Sequence, residues 1–304
     1  MKKPIHNLPE SVAARLLNQA RRTGEDYQIL LARFCIERFL HRLGESDLQD
    51  RFVLKGAVLL RVWSNRPYRA TRDLDLLRRG GGSFSAIRSD IEAICSMEVS
   101  HDAVKFDPTA LRIEAIRPED EYAGVRVILP AQCGSARLRL QIDMGLADDV
   151  WPMPRRCELP ALLDFPPPQV LTYPPEAVIA EKLEAIVVLG DRNIRIKDFF
   201  DLHHLATYFE FDRTTLTEAV RRTFLRRRTP IPLEEPVGLT ATYWENPSRP
   251  AQIRAFMRRA GLTPAHDKME ELLSILRQFL LPILDDLQRA RPSRGQWSPG
   301  GPWR

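Results

Sequence analysis

The chain has 304 residues, a formal net charge of +5, 44% hydrophobic and 28% charged residues, which is the composition of a globular protein with one large core or two medium ones. No apolar run approaches a membrane span and the opening MKKPIHNLPE lacks the apolar stretch of a signal peptide, so a cytoplasmic protein without membrane association is expected. Cys35, Cys95, Cys133 and Cys157 are widely spaced and form no CxxC pair, which argues for buried free thiols over a zinc site or a disulfide framework.

The first fifty residues read as helices. Ser11 to Arg22 carries Val12, Leu16 and Leu17 at helical spacing, and Tyr27 to Leu43 is studded with apolar residues from Ile29 to Leu40, with Gly24 and Gly44 as the punctuation. From 51 to 172 the pattern changes to a small mixed α/β unit. Arg72 to Leu77, Leu111 to Ile116, Val125 to Leu129 and Ala136 to Met144 alternate as strands do, and Ser83 to Met97 reads as a helix. The proline-rich passage Asp164 to Pro175 marks a boundary, because proline suits neither a central strand nor a helix interior. Beyond it, 173–290 is helical again, in five segments: Glu176 to Leu189, Lys197 to Phe209, Thr214 to Arg227, Ala251 to Arg259 and Lys268 to Leu287. Thr229 to Pro250 lacks period and is expected to be a loop that covers the site. The Pro/Gly/Ser-rich tail, 291–304, is expected to be disordered, although Trp297 and Trp303 offer anchors. The fold class expected is α+β.

The chemistry concentrates in FVLKGAVLLRVWSNRPYRATRDLDLL, Phe52 to Leu77. On a strand Asp73 and Asp75 point one way while Leu74 and Leu76 point into the core. Two carboxylates on one face repel, and a hard divalent cation such as Mg²⁺ is the common remedy. A DxD pair alone is weak, since charge also protects an exposed strand edge. A third carboxylate strengthens it: Asp143 closes the half-buried strand ARLRLQID and would stand beside the pair if the strands are neighbours. Three such carboxylates can hold two Mg²⁺ ions and serve an in-line phosphoryl or nucleotidyl displacement. Lys55-Gly56-Ala57 precedes a short apolar helix at Val58 to Val62, where backbone N–H groups can approach a phosphate; a plain turn is the simpler reading of that glycine taken by itself.

Downstream, Lys182 lies among Ile179, Leu183 and Ile186 and can reach inward with its stem buried. In RNIRIKDFFDL, Asp198 and Asp201 are three apart on one helix face, where capping or ion pairing is the ordinary role. The adjacent His203 and His204 point different ways and make a poor metal pair. Arg221, Arg222, Arg226, Arg227 and Arg228 cluster at one helix end, and Arg254, Arg258 and Arg259 recur on another. They read either as a solvated face or as a surface for RNA or nucleotide phosphate.

Together these residues resemble the AbiEii/MenT (AbiEii/AbiGii toxin) nucleotidyltransferase family, the toxin halves of bacterial type IV toxin–antitoxin and abortive-infection systems. The resemblance runs from about Phe52 to Leu202: Gly56-Ala57, the R-x-T-x-D-x-D element at Arg69, Thr71, Asp73 and Asp75, the helical Lys182, and the R-x-K-D-x-x-D-L element at Arg195, Lys197, Asp198, Asp201 and Leu202. It implies a DNA polymerase β-like nucleotidyltransferase core with a helical C-terminal domain, transfer of a nucleotide from an NTP to RNA with tRNA as the acceptor, a role in phage defence, and a separately encoded antitoxin. It also implies that Asp73 and Asp75 are metal ligands, with Asp143 added by strand logic; that Lys55, Gly56, Ala57, Thr71, Lys182, Arg195 and Lys197 contact the nucleotide; and that Asp198 is a catalytic or base-positioning residue. Ala57 departs from the serine or second glycine of many members, which removes a hydroxyl contact and leaves the backbone contact.

Two other readings stay open. The acceptor is a protein side chain or small molecule, with the same metal and triphosphate apparatus, or the chain is a catalytically silent protein that holds RNA or a partner. The Arg-rich helix favours RNA slightly, and four intact charges near a core argue against silence.

Overall fold

A computed structural model describes residues 7–63, 69, 71–99, 102–116, 124–146, 150–261, 269–292 and 294–304. The chain divides into two units, one of Met1–Asp149 with Pro154–Tyr173, the other of Val150–Met153 with Pro174–Arg304.

The first unit begins with α1 (Leu8–Thr23) and α2 (Tyr27–Glu45), started by Asn7 and Asp26, whose side chains accept from the Glu10 and Ile29 amides. Gly24 ends α1 in the left-handed conformation, as expected. Gly44 does not end its helix. It lies inside α2, where a Cβ would run into the Gln169 carbonyl, so glycine there permits a close helix–strand approach. Then follow β1 (Phe52–Lys55), α3 (Ala57–Trp63), β2 (Asp73–Arg78), α4 (Phe84–Ser96), β3 (Val104–Phe106), β4 (Arg112–Ile116), β5 (Gly124–Cys133), β6 (Ala136–Leu146), β7 (Arg155–Glu158) and β8 (Gln169–Thr172).

All eight strands join one mixed sheet in the order β3-β5-β6-β2-β1-β8-β7, with β4 also on β5. The β2–β6 and β1–β8 pairs are parallel and the rest antiparallel. One face is apolar: Leu74, Leu76, Val127, Leu129, Leu140 and Ile142 are buried, and α1 and α2 pack against strands of the sheet. The other face carries the polar residues of the same strands. Cys35, Cys95 and Cys133 are buried free thiols, and Cys157 is partly buried.

The second unit contains α5 (Pro175–Leu189), α6 (Ile196–Tyr208), β9 (Phe211–Asp212), α7 (Arg213–Arg226), α8 (Ala241–Glu245), α9 (Arg249–Ala260), α10 (Met269–Gln288) and β10 (Gln296–Trp297). α5 packs on α6 and α7, and α10 on α6 and α7. None of the described helices is long and apolar enough to cross a membrane.

Two expectations fail in this unit. The segment 229–250 is not one irregular loop: it holds α8, and its Leu239 and Tyr243 are buried, with Tyr243 and Trp244 ringing Phe199 at 5.4 and 4.9 Å. The tail is docked rather than disordered. β10 pairs with β9, Trp297 is fully buried with its Nε1 donating to the Ala206 carbonyl at 2.6 Å, and Trp303 stacks on Phe279. The area of two tryptophans outweighs the flexibility of the surrounding glycines and prolines.

Candidate functional site

The sheet register sets the site in the first unit. Lys55 on β1 is opposite Asp75 on β2, Asp75 is opposite Asp143 on β6, Asp143 is opposite Arg126 on β5, and Arg126 is opposite Glu114 on β4. These five residues form one row on the polar face. The predicted neighbourhood of Asp75 and Asp143 therefore holds, and Asp73 stands two residues along β2, opposite Gln141. Adjacent strands are about 4.8 Å apart, so Asp75 and Asp143 are immediate neighbours and their charges repel.

The protein answers part of that repulsion itself. Arg126 grips Asp143 with two bonds of 2.8 Å, Nε to Oδ1 and Nη2 to Oδ2, and this pairing holds the guanidinium above its ordinary pKa. Lys55 lies on the other flank, its ammonium 5.1 Å from the Tyr173 ring centre. Asp73 is exposed and Asp75 half-buried. Among the described residues no group of three or more His, Cys, Asp or Glu is arranged to hold a metal. Asp73 and Asp75 nonetheless fit Mg²⁺ by donor chemistry, since they present hard oxygens on one strand face, and Mg²⁺ typically takes one or two carboxylates and completes its shell with water and substrate phosphate.

Gly56 is tied to this pair. Its φ is +75°, and a Cβ built there would fall on the Asp75 carboxylate. The turn thus brings bare backbone against Asp75 just before α3, whose first residue, Ala57, is buried. Thr71 donates its hydroxyl to the Asp73 carbonyl at 3.2 Å, so it shapes the entry to β2.

The second unit gathers the downstream motif. Lys182 on α5 donates to Asp198 at 2.6 Å and Asp201 at 2.9 Å on α6, and the Arg195 Nε is 2.6 Å from the other Asp198 oxygen. Both aspartates are buried, Asp198 completely. Burial alone would push the Asp198 carboxyl up, but Lys182 and then Arg195 outweigh it and hold the group below its ordinary value. Burial likewise works against the Lys182 ammonium, and the two aspartates more than restore it. Lys197 is exposed. His204 is buried and pushed down to about 4, so it is neutral at pH 7 and structural.

Two residues escaped the sequence. Arg126 was findable: Gly134-Ser135 makes a two-residue hairpin turn, and counting outward from Cys133 opposite Ala136 sets Arg126 against Asp143. Arg249 had no such signal. Its buried guanidinium donates to the carbonyls of Asp191, Asn193 and Tyr243 and to the Gln252 side chain, and it lies 3.8 Å from the Tyr243 ring centre. It fixes the turn that delivers Arg195 and Asp198. Arg249→Lys is expected to lose about 1–3 kcal/mol of stability, read by urea unfolding, because an ammonium cannot reach three divergent carbonyls.

The Arg-rich run at the end of α7 is largely neutralised within its own unit. Arg221 and Arg222 bind Glu218, and Arg226 and Arg227 pair with Glu181, Arg227 also with Glu184 at 2.6 Å.

A family model described as "Nucleotidyl transferase AbiEii toxin, Type IV TA system" matches residues 38–275. Among solved structures, the MenT4 nucleotidyltransferase toxin of Mycobacterium tuberculosis H37Rv is similar with a TM-score of 0.53 and 17% identity, over 92% of this chain and 99% of that one. That likeness extends to the mixed sheet core and the helical C-terminal region. The JHP933 structure of Helicobacter pylori is a looser likeness, with a TM-score of 0.46 and 13% identity over 87% of this chain and 95% of that one. No curated protein matches the chain in sequence.

Proposed function

We propose a function from the premise that the chain belongs to the AbiEii nucleotidyltransferase toxin family, whose model spans residues 38–275. It transfers a nucleoside monophosphate from an NTP to RNA, with tRNA as the acceptor, and thereby inhibits growth until a separately encoded antitoxin intervenes. The observation that carries this reading is the carboxylate pair of β2 on the polar sheet face, with the Gly56 backbone against Asp75 and Lys55 beside it.

In such a transfer the acceptor hydroxyl oxygen bonds the α-phosphorus as its proton passes to water, the bond from that phosphorus to the α,β-bridging oxygen breaks, and pyrophosphate departs. The reaction needs positioning and charge neutralisation more than covalent chemistry. Asp73 and Asp75 would hold Mg²⁺, which would supply charge neutralisation for the triphosphate and lower the cost of deprotonating the attacking hydroxyl. Arg126 keeps Asp143 oriented at the end of that pair. Lys55 supplies a positive charge on the same row, the missing Cβ of Gly56 leaves the room that the Asp75 carboxylate occupies, and the backbone of Gly56 and Ala57 remains a phosphate contact on the family resemblance. Lys182, Arg195 and Lys197 remain nucleotide contacts on the family resemblance, with Asp198 and Asp201 holding the Lys182 ammonium in one orientation.

The test is to incubate the chain with Mg²⁺, total bacterial RNA and each α-labelled NTP in turn, beside an Asp73→Ala control. Label in tRNA-sized RNA that disappears in the variant is the expected result and identifies the nucleotide. Label on protein would replace RNA with a protein acceptor, and no label with any NTP would defeat transfer altogether.

A further inference from the structure

We infer that the polar sheet face of the first unit is the track on which the RNA acceptor lies, with Arg137 and Arg139 of β6 as its principal phosphate contacts. This rests on the transfer reading for its direction, because the track leads to Asp73.

The strand register orders the face. Arg139 lies two residues before Gln141, which is opposite Asp73, so about 7 Å along the strand and one strand width separate Arg139 from the carboxylate pair. Arg137 lies two residues further out, opposite Gln132, which is in turn opposite Lys105 of the edge strand β3. Arg112 of β4 is opposite Ile128, on the same face. Arg137, Arg139, Lys105 and Arg112 are all exposed. Among the described residues neither Arg137 nor Arg139 has an ion pair, whereas the arginines at the end of α7 are met by Glu218, Glu181 and Glu184.

A single charged residue on a strand is ordinary solvation. Here four cations share one sheet face, and half-buried Ile128 and Pro130 lie between them as a flat apolar platform. That combination suits a polyanion with planar bases, since arginine binds phosphate and stacks, and the apolar surface accepts ribose and base. Among the described residues the acids on this face toward the outer edge are Glu114, whose register partner is Arg126, and Asp107, which follows β3 beside Lys105 and accepts from the Thr109 amide and hydroxyl. An acidic protein would match the charge and leave the platform unused.

The experiment compares the full chain with its Arg137→Gln/Arg139→Gln double variant in filter binding of bulk bacterial tRNA, between about 50 and 200 mM salt. The expected result is affinity about tenfold weaker, and a log–log salt slope shallower by about 1.4 to 1.8, from two lost phosphate contacts. Both substitutions are on exposed side chains, so the thermal melt should not move, and Arg221→Gln, whose charge already belongs to Glu218, should bind as the unaltered chain does. Equal affinity and slope in the double variant overturn the inference and leave the face to an acidic protein; so does failure of the unaltered chain to bind tRNA at low salt. If the arginines govern binding but no NTP ever labels RNA, the transfer reading fails and the RNA track stands.

Discussion

Lys182→Met is expected to remove about 3–5 kcal/mol of stability. Asp198 is fully buried and Asp201 nearly so, and both accept from the Lys182 ammonium. Methionine keeps the packing and withdraws the charge, leaving two buried carboxylates without the ammonium from which both accept. The pH dependence follows from the directions of the shifts. The Asp198 carboxyl is held below its ordinary 3.8, so its contribution is present above that value and is lost as pH falls through the lower, folded one. The Lys182 ammonium is held above its ordinary 10.5, so its contribution is complete below that value and is lost as pH rises through the higher, folded one. Between those limits the cluster is at full strength. In the variant, a buried carboxylate that has lost the ammonium takes up a proton more readily, so the deficit relative to the unaltered chain should shrink from pH 7 toward pH 5. Urea unfolding followed by tryptophan fluorescence, to which Trp244 and Trp297 of this unit contribute, reads both effects. A deficit under about 1 kcal/mol, or one that grows on acidification, would defeat the ion-cluster account.

What was legible in the sequence divides by the range of the interaction. Alternation within β2 was enough to set Asp73 and Asp75 on one face, and that face is polar. The adjacency of Asp143 needed one guess about strand order, which the parallel β2–β6 register bears out. Short strands hidden by composition were missed: β8 lies inside the proline-rich passage yet runs beside β1. Gly44 shows why a glycine is ambiguous, since a helix stop and a close approach demand the same residue, and only the Gln169 carbonyl distinguishes them. Of the Arg-rich run at the end of α7, the partner three and four residues away, Glu218, was visible in sequence, whereas Glu181 and Glu184 sit on another helix. Charge clusters therefore read as binding surfaces until their distant partners are known. The tail failed for the opposite reason, because local composition argued disorder while Trp297 found a buried carbonyl 91 residues away in the chain.

Asp75→Asn and Gly56→Ala should both bring nucleotide transfer close to background, for different reasons. Asparagine at 75 keeps the shape and halves the anionic charge that the pair offers a divalent cation, so the metal-dependent step loses its anchor. It also removes a negative charge that lies between Asp143 on one side and Lys55 on the other, so the relief of one contact offsets the loss of the other and the melt should stay about level. Alanine at 56 leaves every charge in place. It requires an L-residue at φ +75°, costing about 1–2 kcal/mol, and it drives a methyl into the Asp75 carboxylate, which must swing aside. A displacement of about 1 Å at a reacting centre lowers rates on the order of a hundredfold. The two variants thus separate charge from position. Raised Mg²⁺ should recover part of the Gly56→Ala activity, because the carboxylate survives, and none of the Asp75→Asn activity. The check is label transfer over a Mg²⁺ series alongside a thermal melt. Near-normal transfer by Asp75→Asn would end the metal-pair assignment, and near-normal transfer by Gly56→Ala would show that the turn sets no geometry the reaction depends on.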